Sequence, residues 1–590
     1  MHKLNLKLVK RAFRQAKPFW FSGDKRIARW LLLLLIVLLV GDTGCNVLFN
    51  QQSGEFTSAL AAQDGPRFWR SIGKFFALLV GGVPLYAYYY YVRDKLALTW
   101  RRWLTDRFLD RYFDDRGYYR LLSQPEIDNP DQRISDDIFS FTQQSLNFLL
   151  VFASGLFQVV AFGGVLWSIS GYLVLFVLLY AAVATGTTFG IFGAKMVSLH
   201  SLQRRREADF RFGLVRVREN AESIALYHGE RLEKSQVRRL FARLFANAND
   251  IIRWSLRLNF FYYGNSFLAM VLPTLIIAPR VLSGELEVGR IVTATGAFAA
   301  ILSALTLLLD NLDDLSRFAA SVGRLESLAN AVSPAATEQP RKIRKPRNGI
   351  TSNGKPQTGK PAPSKIVTQE SESLGFENVT LKTPNNERTL VKALTVSVPP
   401  GKGLMIVGAS GLGKSSLLRA VAGLWDSGDG MLQRPKADDM LFLPQHAYMV
   451  VGNLRVQLNY PNLGRSVSDE ELLKVLELVN LANLAERSGG FDTDFDFDKV
   501  LSAGERQRLA FARVLLKHPR YVLLDEATSA LDRENEAVLY GRLIETSTTL
   551  VSVSHHPALV RYHSQVLELQ AEGEWRLHSA AKFRFTADLV

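Results

Sequence analysis

Cysteine is almost absent from this chain of 590 residues, which holds a single one, Cys45. One cysteine cannot form a disulfide within the chain, and it cannot build a thiolate metal cluster. Disulfide-stapled scaffolds and thiolate metal proteins are therefore excluded. Because 47% of the residues are hydrophobic and only 22% are charged, disordered and collagen-like chains are excluded as well.

Charged residues are missing from long stretches of the first half of the sequence. Residues 138–194 contain no Asp, Glu, Lys or Arg, and the same holds for 75–92, 258–279 and 291–309. A helix needs about 20 mostly apolar residues to cross a bilayer. The first run is therefore long enough for two spans, with a turn at residues 168–171. Together with the apolar run from 31 to 48, these stretches predict six membrane-spanning helices.

The distribution of basic residues predicts the orientation of these spans. The chain carries 71 Lys and Arg against 56 Asp and Glu, a formal charge of +15, which by itself would also suit a nucleic-acid binder. Basic residues precede the first span and fill segments 93–137 and 195–257, whereas 50–74 and 280–290 are shorter. The positive-inside rule then places the N-terminus and both Arg-rich segments in the cytoplasm. We accordingly expect membrane lipid as a partner and no nucleic acid.

Proline, lysine, serine and glycine dominate the segment from 332 to 373, which has too few apolar residues to fold and is predicted to be a disordered linker. The predicted organisation is a basic cytosolic N-terminus at 1–29, a six-helix all-α transmembrane domain at 30–331 and this linker. A second domain follows at 374–590. The expected fold class is thus a multi-domain membrane protein.

A glycine-rich loop follows the linker. Leu404–Val407 is a short apolar run typical of a buried strand, and Gly408–Ser415 after it fits G-x-x-x-x-G-K-S. Its glycines let backbone N–H groups close around phosphate oxygens at the start of a helix. Lys414 is predicted to reach the β- and γ-phosphates, and the Ser415 hydroxyl to hold Mg²⁺.

A second apolar strand ends on two carboxylates. Residues 521–524 lead directly into Asp525 and Glu526. In open α/β sheets, ligands bind at the carboxyl ends of the strands, so both acids should meet a nucleotide there. We predict that Asp525 acts on Mg²⁺ and that Glu526 polarises the attacking water. The domain at 374–590 is therefore predicted to be an α/β P-loop nucleotide-binding domain.

The residues around this strand resemble a known family. Leu501–Arg513 closely resembles the signature helix of ATP-binding cassette proteins, and Ser529–Asp532 resembles their D-loop. Gly408–Ser415 looks like their Walker A motif. Gln445 resembles the Q-loop glutamine, and His555 resembles the switch histidine. The order and spacing of these motifs match the family from about 374 to 570.

This resemblance implies ATP and Mg²⁺ as cofactors and a role for individual residues. The implied ATP-binding residues are Gly408, Ser410, Gly411, Gly413, Lys414, Ser415, Ser416, Ser502, Gly504 and Asp532. The implied Mg²⁺ ligands are Ser415, Gln445 and Asp525, and the implied catalytic residues are Glu526, His555 and Gln445.

Several positions depart from the family pattern, among them Ala503, Thr383 and His556. Ala503 stands where a glycine or a larger residue is usual, and Ala leaves room for ATP. Thr383 aligns with the position at which many cassettes stack an aromatic side chain on adenine, so weaker base selectivity is expected. The switch position is followed by His556 rather than by arginine.

The membrane half of the sequence indicates which branch of the family the chain resembles. Segments 129–134, 210–212, 218–222 and 227–230 are similar to those of peroxisomal fatty-acyl half-transporters and of bacterial relatives that take up cobalamin or antimicrobial peptides. The resemblance implies that these cytosolic loops carry coupling helices. It also implies a homodimer, in which a second subunit completes each ATP site, and a location in the bacterial plasma (inner) membrane.

The predicted function is that of an ATP-driven transporter, a permease fused to an ATPase, which moves a bulky solute such as cobalamin or a peptide. Transport of a fatty-acyl, acyl-CoA or lipid substrate is the alternative. Asp42, an acid within the first span, leaves open a proton-driven carrier with a regulatory cassette. The favoured alternative is that Asp42 lies near the outer end of the span in contact with water. Intact Lys414, Glu526 and His555 argue for the ATP-driven function.

Overall fold

The computed structural model describes residues 6–23, 25–122, 124, 127–310, 312–332, 365–384, 387–462, 464 and 467–585. These residues fall into two compact units, Met1–Arg347 and Asn348–Val590. Within the described residues the first unit is helical, and the second combines helices with two sheets.

The first unit consists mainly of long helices. In chain order they are α1 (Leu6–Trp20), α2 (Lys25–Ala61), α3 (Gly65–Phe113), α4 (Gly117–Leu121), α5 (Pro130–Gln132), α6 (Ile138–Ile169), α7 (Gly171–Thr187), α8 (Ala194–Glu219), α9 (Ala221–Leu226), α10 (Glu230–Leu282), α11 (Gly289–Asp310) and α12 (Leu312–Val332). A π-helical segment, Thr188–Gly193, joins α7 to α8, and another, Arg133–Asp137, precedes α6.

Within the described residues, five helical stretches are long and apolar enough to cross a membrane. They are Lys25–Ala61, Gly65–Leu121, Pro130–Ile169, Gly171–Glu219 and Glu230–Leu282, and each contains a predicted span. The sixth predicted span falls on α11, where the apolar part within the described residues, Gly289–Leu305, is shorter. The multi-helix membrane domain is confirmed, and the number six stays a prediction.

Local sequence explains where these helices begin and end. The predicted turn at 168–171 is present, because Ser170 adopts an extended conformation between α6 and α7. Asp64 caps α3 by accepting a 3.0 Å hydrogen bond from the Arg67 backbone N–H.

Helix α3 is much longer than a membrane span. At about 1.5 Å per residue, its 49 residues span about 75 Å, well beyond the roughly 30 Å hydrocarbon core of a bilayer. Segment 93–113 is therefore helix rather than loop.

The basic N-terminal segment is also helical. Phe19 at the end of α1 is fully buried and stacks on Trp100 of α3 with ring centroids 5.5 Å apart. The prediction for 1–29 named only charge, and α1 was not foreseen because its apolar residues pack on a surface formed by distant parts of the chain.

Segment 130–137 is anchored to α12. Asp137 is 2% exposed, and its Oδ2 accepts a 2.6 Å hydrogen bond from the Nε of Arg324. Arg133 is also buried and donates a 2.6 Å hydrogen bond to the Ser327 hydroxyl. An ion pair with a buried carboxylate, together with these additional hydrogen bonds, fixes this segment in one geometry.

The second unit is built on two sheets. The strands are β1 (Val367–Glu370), β2 (Leu374–Lys382), β3 (Thr389–Val398), β4 (Leu404–Val407), β5 (Gly428–Arg434), β6 (Met440–Leu443), β7 (Tyr521–Asp525), β8 (Thr549–Val553), β9 (Gln565–Leu569) and β10 (Trp575–Ser579). One sheet has the order β1-β5-β2-β3, and the other has the order β10-β9-β4-β8-β7-β6.

Seven helices complete this unit. They are α13 (Lys414–Val421), α14 (Leu454–Asn459), α15 (Asp469–Leu478), α16 (Leu484–Arg487), α17 (Phe497–Val500), α18 (Ala503–Lys517) and α19 (Arg533–Glu545), among the described residues. In the six-stranded sheet, β4, β6, β7, β8 and β9 pair in parallel. The loops that follow parallel strands leave the sheet at one edge, which brings the predicted motifs together.

The predicted linker at 332–373 is too wide at both ends. Val332 is the buried last residue of α12. At the other end, Ile366 is buried and β1 pairs in parallel with β5, with Val367 opposite Met431. The sheet therefore begins before the predicted start at 374. The part of the predicted linker at 333–364 lies outside the described residues.

Candidate nucleotide-binding site

The glycines of the 408–413 loop adopt conformations that other residues rarely reach. Gly408, Gly411 and Gly413 have φ angles of +145°, +80° and +99°. A Cβ on Gly408 would stand 2.6 Å from the backbone oxygen of Leu569, so this position also lacks room for a side chain. The loop therefore curls tightly between β4 and α13, with Ser410 exposed on it and Ser416 half-buried in the first turn of the helix.

Lys414 folds back across this loop. Its Nζ donates hydrogen bonds to the carbonyl oxygens of Gly408 at 2.7 Å and Ala409 at 3.0 Å. Burial lowers the pKa of this ammonium, and the charges of Glu526 and Asp525 partly oppose that change. A 7% exposed cation whose partners are neutral carbonyls fits the phosphate groups of a nucleotide.

A serine and an aspartate form the second part of the site. The Ser415 hydroxyl donates a 2.8 Å hydrogen bond to Oδ1 of Asp525, which ends β7. Burial raises the pKa of this carboxyl, and the Ser415 hydrogen bond opposes the shift. Mg²⁺ is commonly held by one or two protein oxygens together with substrate phosphates, and this pair of oxygen ligands fits that pattern.

Glu526 lies at the centre of the third part. Its Oε2 accepts a 2.9 Å hydrogen bond from Nε2 of Gln445, which follows β6. Its Oε1 lies 3.1 Å from Nε2 of His555, which follows β8. The φ angle of Glu526 is +49°, a left-handed conformation that turns the chain sharply at the strand end. Three residues far apart in sequence thus meet at one carboxylate.

Ser502 and Gly504 lie at the start of α18 and are not hydrogen-bonded to the glycine-rich loop. The exposed Ser502 hydroxyl accepts a 3.3 Å bond from the Glu505 N–H, while Glu505 accepts from the Ser502 N–H at 3.0 Å. These two bonds form a capping box. Desolvation opposes ionisation of Glu505, but hydrogen bonds from Arg487 and Ser502 hold its pKa at about 2. A Cβ on Gly504 would stand 3.0 Å from the Ala530 oxygen.

Asp532 begins α19 and does not contact Lys414. Its Oδ1 accepts a 2.8 Å hydrogen bond from the Asn535 backbone N–H, which lowers the pKa of the carboxyl. The structure thus gathers Lys414, Ser415, Asp525, Glu526, Gln445 and His555 at one edge of the sheet. Ser502, Gly504 and Asp532 stand apart, at helix starts.

Sequence reasoning missed Gln507, which ties two loops together. This residue of α18 is 4% exposed and donates to the Gln445 backbone oxygen at 3.2 Å. It also donates to the Ser529 hydroxyl at 3.3 Å and accepts from the Ala530 N–H at 3.0 Å. The available signal was a polar residue on the apolar face of an amphipathic helix.

Sequence reasoning also missed Glu536 on α19, which is 3% exposed. Its Oε1 accepts a 2.6 Å hydrogen bond from the Thr528 hydroxyl, two residues beyond Glu526. Nδ1 of His556 lies 2.9 Å from the same oxygen. The residues that follow Glu526 and His555 therefore share one buried carboxylate.

Comparison with known proteins agrees with this geometry. Residues 18–282 match the family described as ABC transporter transmembrane region 2, and residues 391–529 match the family described as ABC transporter. An uncharacterized ABC transporter ATP-binding protein of Synechocystis is 42% identical over 94% of this chain and 82% of its own. ABC transporter D family member 2, chloroplastic, of Arabidopsis thaliana is 36% identical, with 97% and 88% covered. The human lysosomal cobalamin transporter ABCD4 is 32% identical, with 98% and 97% covered.

The fold and the site therefore define an integral membrane permease region joined to an ATPase region. The chain belongs to the ATP-binding cassette transporter family. It binds ATP and couples ATP hydrolysis to transport across a membrane, as the cassette sequence resemblance implied.

Proposed function

We propose that this chain is one half of a homodimeric transporter that moves a bulky solute, such as cobalamin or a peptide, across a bacterial inner membrane. Support for the solute class comes from the loop segments at 129–134 and 218–222 and from the similarity along nearly the whole chain to a protein named as a cobalamin transporter. In this proposal the membrane domain has six spans, and its N-terminus and cassette lie in the cytoplasm.

Ion pairs at both ends of the helices support this topology. Arg67 lies 2.8 Å from Glu55 and 2.9 Å from Glu287, which joins segment 50–74 to segment 280–290 at one end. Arg324 pairs with Asp137 at the end of segment 93–137. Segments that six crossings would place on the same side are therefore in contact within the membrane unit.

The observation that carries the site assignment is that Glu526 contacts both Gln445 and His555. The proposed chemistry follows from these contacts. Lys414 would bind the β- and γ-phosphates, while Ser415, Asp525 and the Gln445 side chain would hold Mg²⁺. A bound Mg²⁺ neutralises charge that develops on the phosphates. Glu526 orients and polarises the attacking water, and His555, 3.1 Å away, fixes that carboxylate.

Two cassettes are proposed to form each site together. Ser502 and its neighbour Gly504 present an exposed helix start, and Asp532 presents another. Facing the glycine-rich loop of a second subunit, these positions would supply N–H and hydroxyl donors to the nucleotide. The short segments Pro130–Asp137 and Ala221–Leu226 are proposed as the coupling elements that respond to cassette closure.

The test is ATPase activity of the full chain in proteoliposomes, measured with cobalamin, with a hydrophobic peptide and with an acyl-CoA. We expect stimulation by cobalamin or the peptide, and Glu526→Gln removes the signal while ATP still binds. Stimulation by the acyl-CoA alone would favour the alternative substrate class. Solute transport that depends on a proton gradient and survives Glu526→Gln would favour the proton-driven alternative.

A further inference from the structure

A cavity of about 540 Å³ lies within the first unit, between the π-helical segment with α7 and α8 on one side and α10 with α11 on the other. Cavities that bind small molecules typically measure about 300–1,000 Å³. The cavity is far from the residues of the nucleotide site in sequence, and it belongs to the membrane domain alone.

One wall of this cavity is a polar stripe on an apolar helix. Asn259, Tyr262, Asn265 and Ser266 of α10 line it, followed by Ala269. The spacing of three or four residues places all five on one face of the helix. They lie in the uncharged stretch 258–279, where a polar side chain that faces lipid is unfavourable. The stripe therefore points to polar contacts inside the cavity.

The two asparagines have hydrogen-bonding capacity to spare. Neither the Asn259 nor the Asn265 carboxamide makes a hydrogen bond within the described part of the chain, although the Asn265 backbone oxygen accepts one from Tyr180. Each carboxamide offers two N–H donors and one acceptor oxygen, the same groups that another amide presents in return. An amide-bearing ligand is thus the matching chemistry.

On the opposite wall, every fourth residue from 188 to 200 lines the cavity. Thr188, Phe192, Met196 and His200 line the cavity, and the first two belong to the π-helical segment. The Phe192 ring packs on Phe261 of α10 with centroids 5.9 Å apart. A π-helical turn within a longer helix is uncommon and is frequently found at functional sites.

The cavity lining carries almost no charge. Among the described residues that line it there is no Asp, Glu, Lys or Arg, and His200 and Tyr262 are its ionisable groups. Bringing the phosphates of an acyl-CoA into such a space would bury several negative charges without cationic partners, which is strongly unfavourable.

From these observations we propose that this cavity binds an uncharged, amide-bearing solute or part of a solute, with Asn259 and Asn265 as the residues that select it. The amide side chains on the ring of a corrinoid and the backbone of a short neutral peptide both present this chemistry. The proposal rests on the proposed function and narrows its substrate class. In this proposal, the cavity does not bind the head group of an acyl-CoA.

The first experiment measures solute-stimulated ATPase activity of the full chain in proteoliposomes. The probes are cyanocobalamin, a peptide capped at both ends, and oleoyl-CoA. The variant is Asn265→Leu, and the matched control is Thr274→Val on the same helix, outside the cavity lining. Losing one hydrogen bond should raise the concentration for half-maximal stimulation by about tenfold. Basal ATPase activity should not change in the control Thr274→Val.

Comparing cyanocobalamin with the capped peptide distinguishes a corrinoid from a peptide solute. The solute is the probe whose concentration for half-maximal stimulation rises in Asn265→Leu but not in Thr274→Val. Stimulation by oleoyl-CoA that both variants retain would overturn the cavity assignment while leaving ATP-driven transport intact. If no probe stimulates ATPase activity of the unmodified chain, the result would instead contradict the proposed substrate class.

A second measurement does not depend on turnover. Cys45 is the only cysteine, so Cys45→Ser gives a background in which Ser266→Cys can be labelled selectively with a maleimide. The capped peptide or cyanocobalamin should slow labelling by about tenfold at saturating concentration, and oleoyl-CoA should not. Equal labelling rates with and without the amide-bearing probes, or protection by lipid alone, would overturn the proposal.

Discussion

The Ser415 hydroxyl and the Asp525 carboxylate are joined by a 2.8 Å hydrogen bond, which links the start of α13 to the end of β7. The two residues are separated by more than one hundred positions in sequence. Their oxygens lie beside each other because β4 and β7 are strands of one parallel sheet whose carboxyl ends share an edge. Two predictions concern the carboxylates at this edge.

Replacing Asp525 by Asn should weaken Mg²⁺ binding and stabilise the metal-free cassette. Burial raises the pKa of Asp525, so the folded state favours its protonated form relative to the unfolded state. The stability from that protonated form is fully present below the ordinary Asp pKa and is lost as pH rises through the raised value. We therefore expect Asp525→Asn to raise the Tm of the metal-free protein at pH 7–8, with a smaller difference near pH 4.

The matching measurement is Mg²⁺-dependent ATP binding as a function of pH. Binding to the unmodified protein should weaken on acidification, because the cation requires the deprotonated carboxylate. A Tm that falls in Asp525→Asn at neutral pH, with Mg²⁺ affinity unchanged, would contradict the assignment of this residue.

Glu526→Gln should separate ATP binding from hydrolysis. The change removes the charge that polarises water but leaves Lys414, Ser415 and Asp525 in place. Loss of general-base catalysis should lower kcat by about 100-fold or more, with little change in ATP affinity, so that the protein accumulates as a closed dimer. Nucleotide trapping and size-exclusion chromatography measure this directly. Near-normal turnover would show that another group activates the water.

A mixed dimer tests whether Ser502 acts on ATP held by the other subunit. In a dimer of one Ser502→Arg and one Lys414→Ala subunit, action across the interface places both changes in the same composite site. The second site remains intact, so about half of the normal ATPase activity should survive if the two sites act independently. Activity no higher than in either homodimeric variant would mean that Ser502 serves its own subunit.

His556 and Glu536 should position the catalytic pair without touching the nucleotide. Nδ1 of His556 lies 2.9 Å from Oε1 of Glu536, which also accepts from Thr528. We expect His556→Leu to lower kcat by about tenfold while the KM for ATP stays near normal, since the buried Glu536 carboxylate loses one of its hydrogen-bonding partners. His556→Arg keeps an N–H donor beside Glu536 and should retain most activity.

His578 provides the matched control, because its Nε2 lies 2.9 Å from Glu568 in a similar pair on the edge strand β10. His578→Leu should leave kcat unchanged. A comparable loss in both leucine variants would indicate general destabilisation rather than positioning, and an unchanged kcat in His556→Leu would remove the role altogether.

Thr383 should make the site less selective for adenine than a cassette with an aromatic residue there. Its hydroxyl accepts a 3.1 Å hydrogen bond from the Arg388 N–H and closes the turn between β2 and β3. Stacking of a base on an aromatic side chain contributes about 1–3 kcal/mol. Thr383→Tyr should therefore tighten ATP binding by about fivefold or more, whereas Thr383→Leu, which also loses the hydroxyl, should not. Strong native preference for ATP over GTP would place another residue against the base.

The sequence alone predicts those elements whose conformation depends on neighbouring residues in the chain. Stretches without charge predict helices in a bilayer, and Ser170 ends α6 where a turn was predicted. The glycines at 408–413 predict a loop because only glycine reaches their φ angles without strain. The strand before this loop and the strand ending on Asp525 were likewise predictable from short apolar runs.

Tertiary structure alone decided the features that depend on distant partners. Ile366 and β1 fold, within a segment predicted as linker, because β5 supplies the backbone hydrogen bonds and the apolar surface that four strand residues cannot supply themselves. The buried carboxylate of Glu536 becomes a shared anchor only when α19 packs beside the loop after β8. The same holds for the cavity, where Asn259 and Asn265 mark one helix face in the sequence. The wall that faces them, from Thr188 to His200, is brought there only by folding.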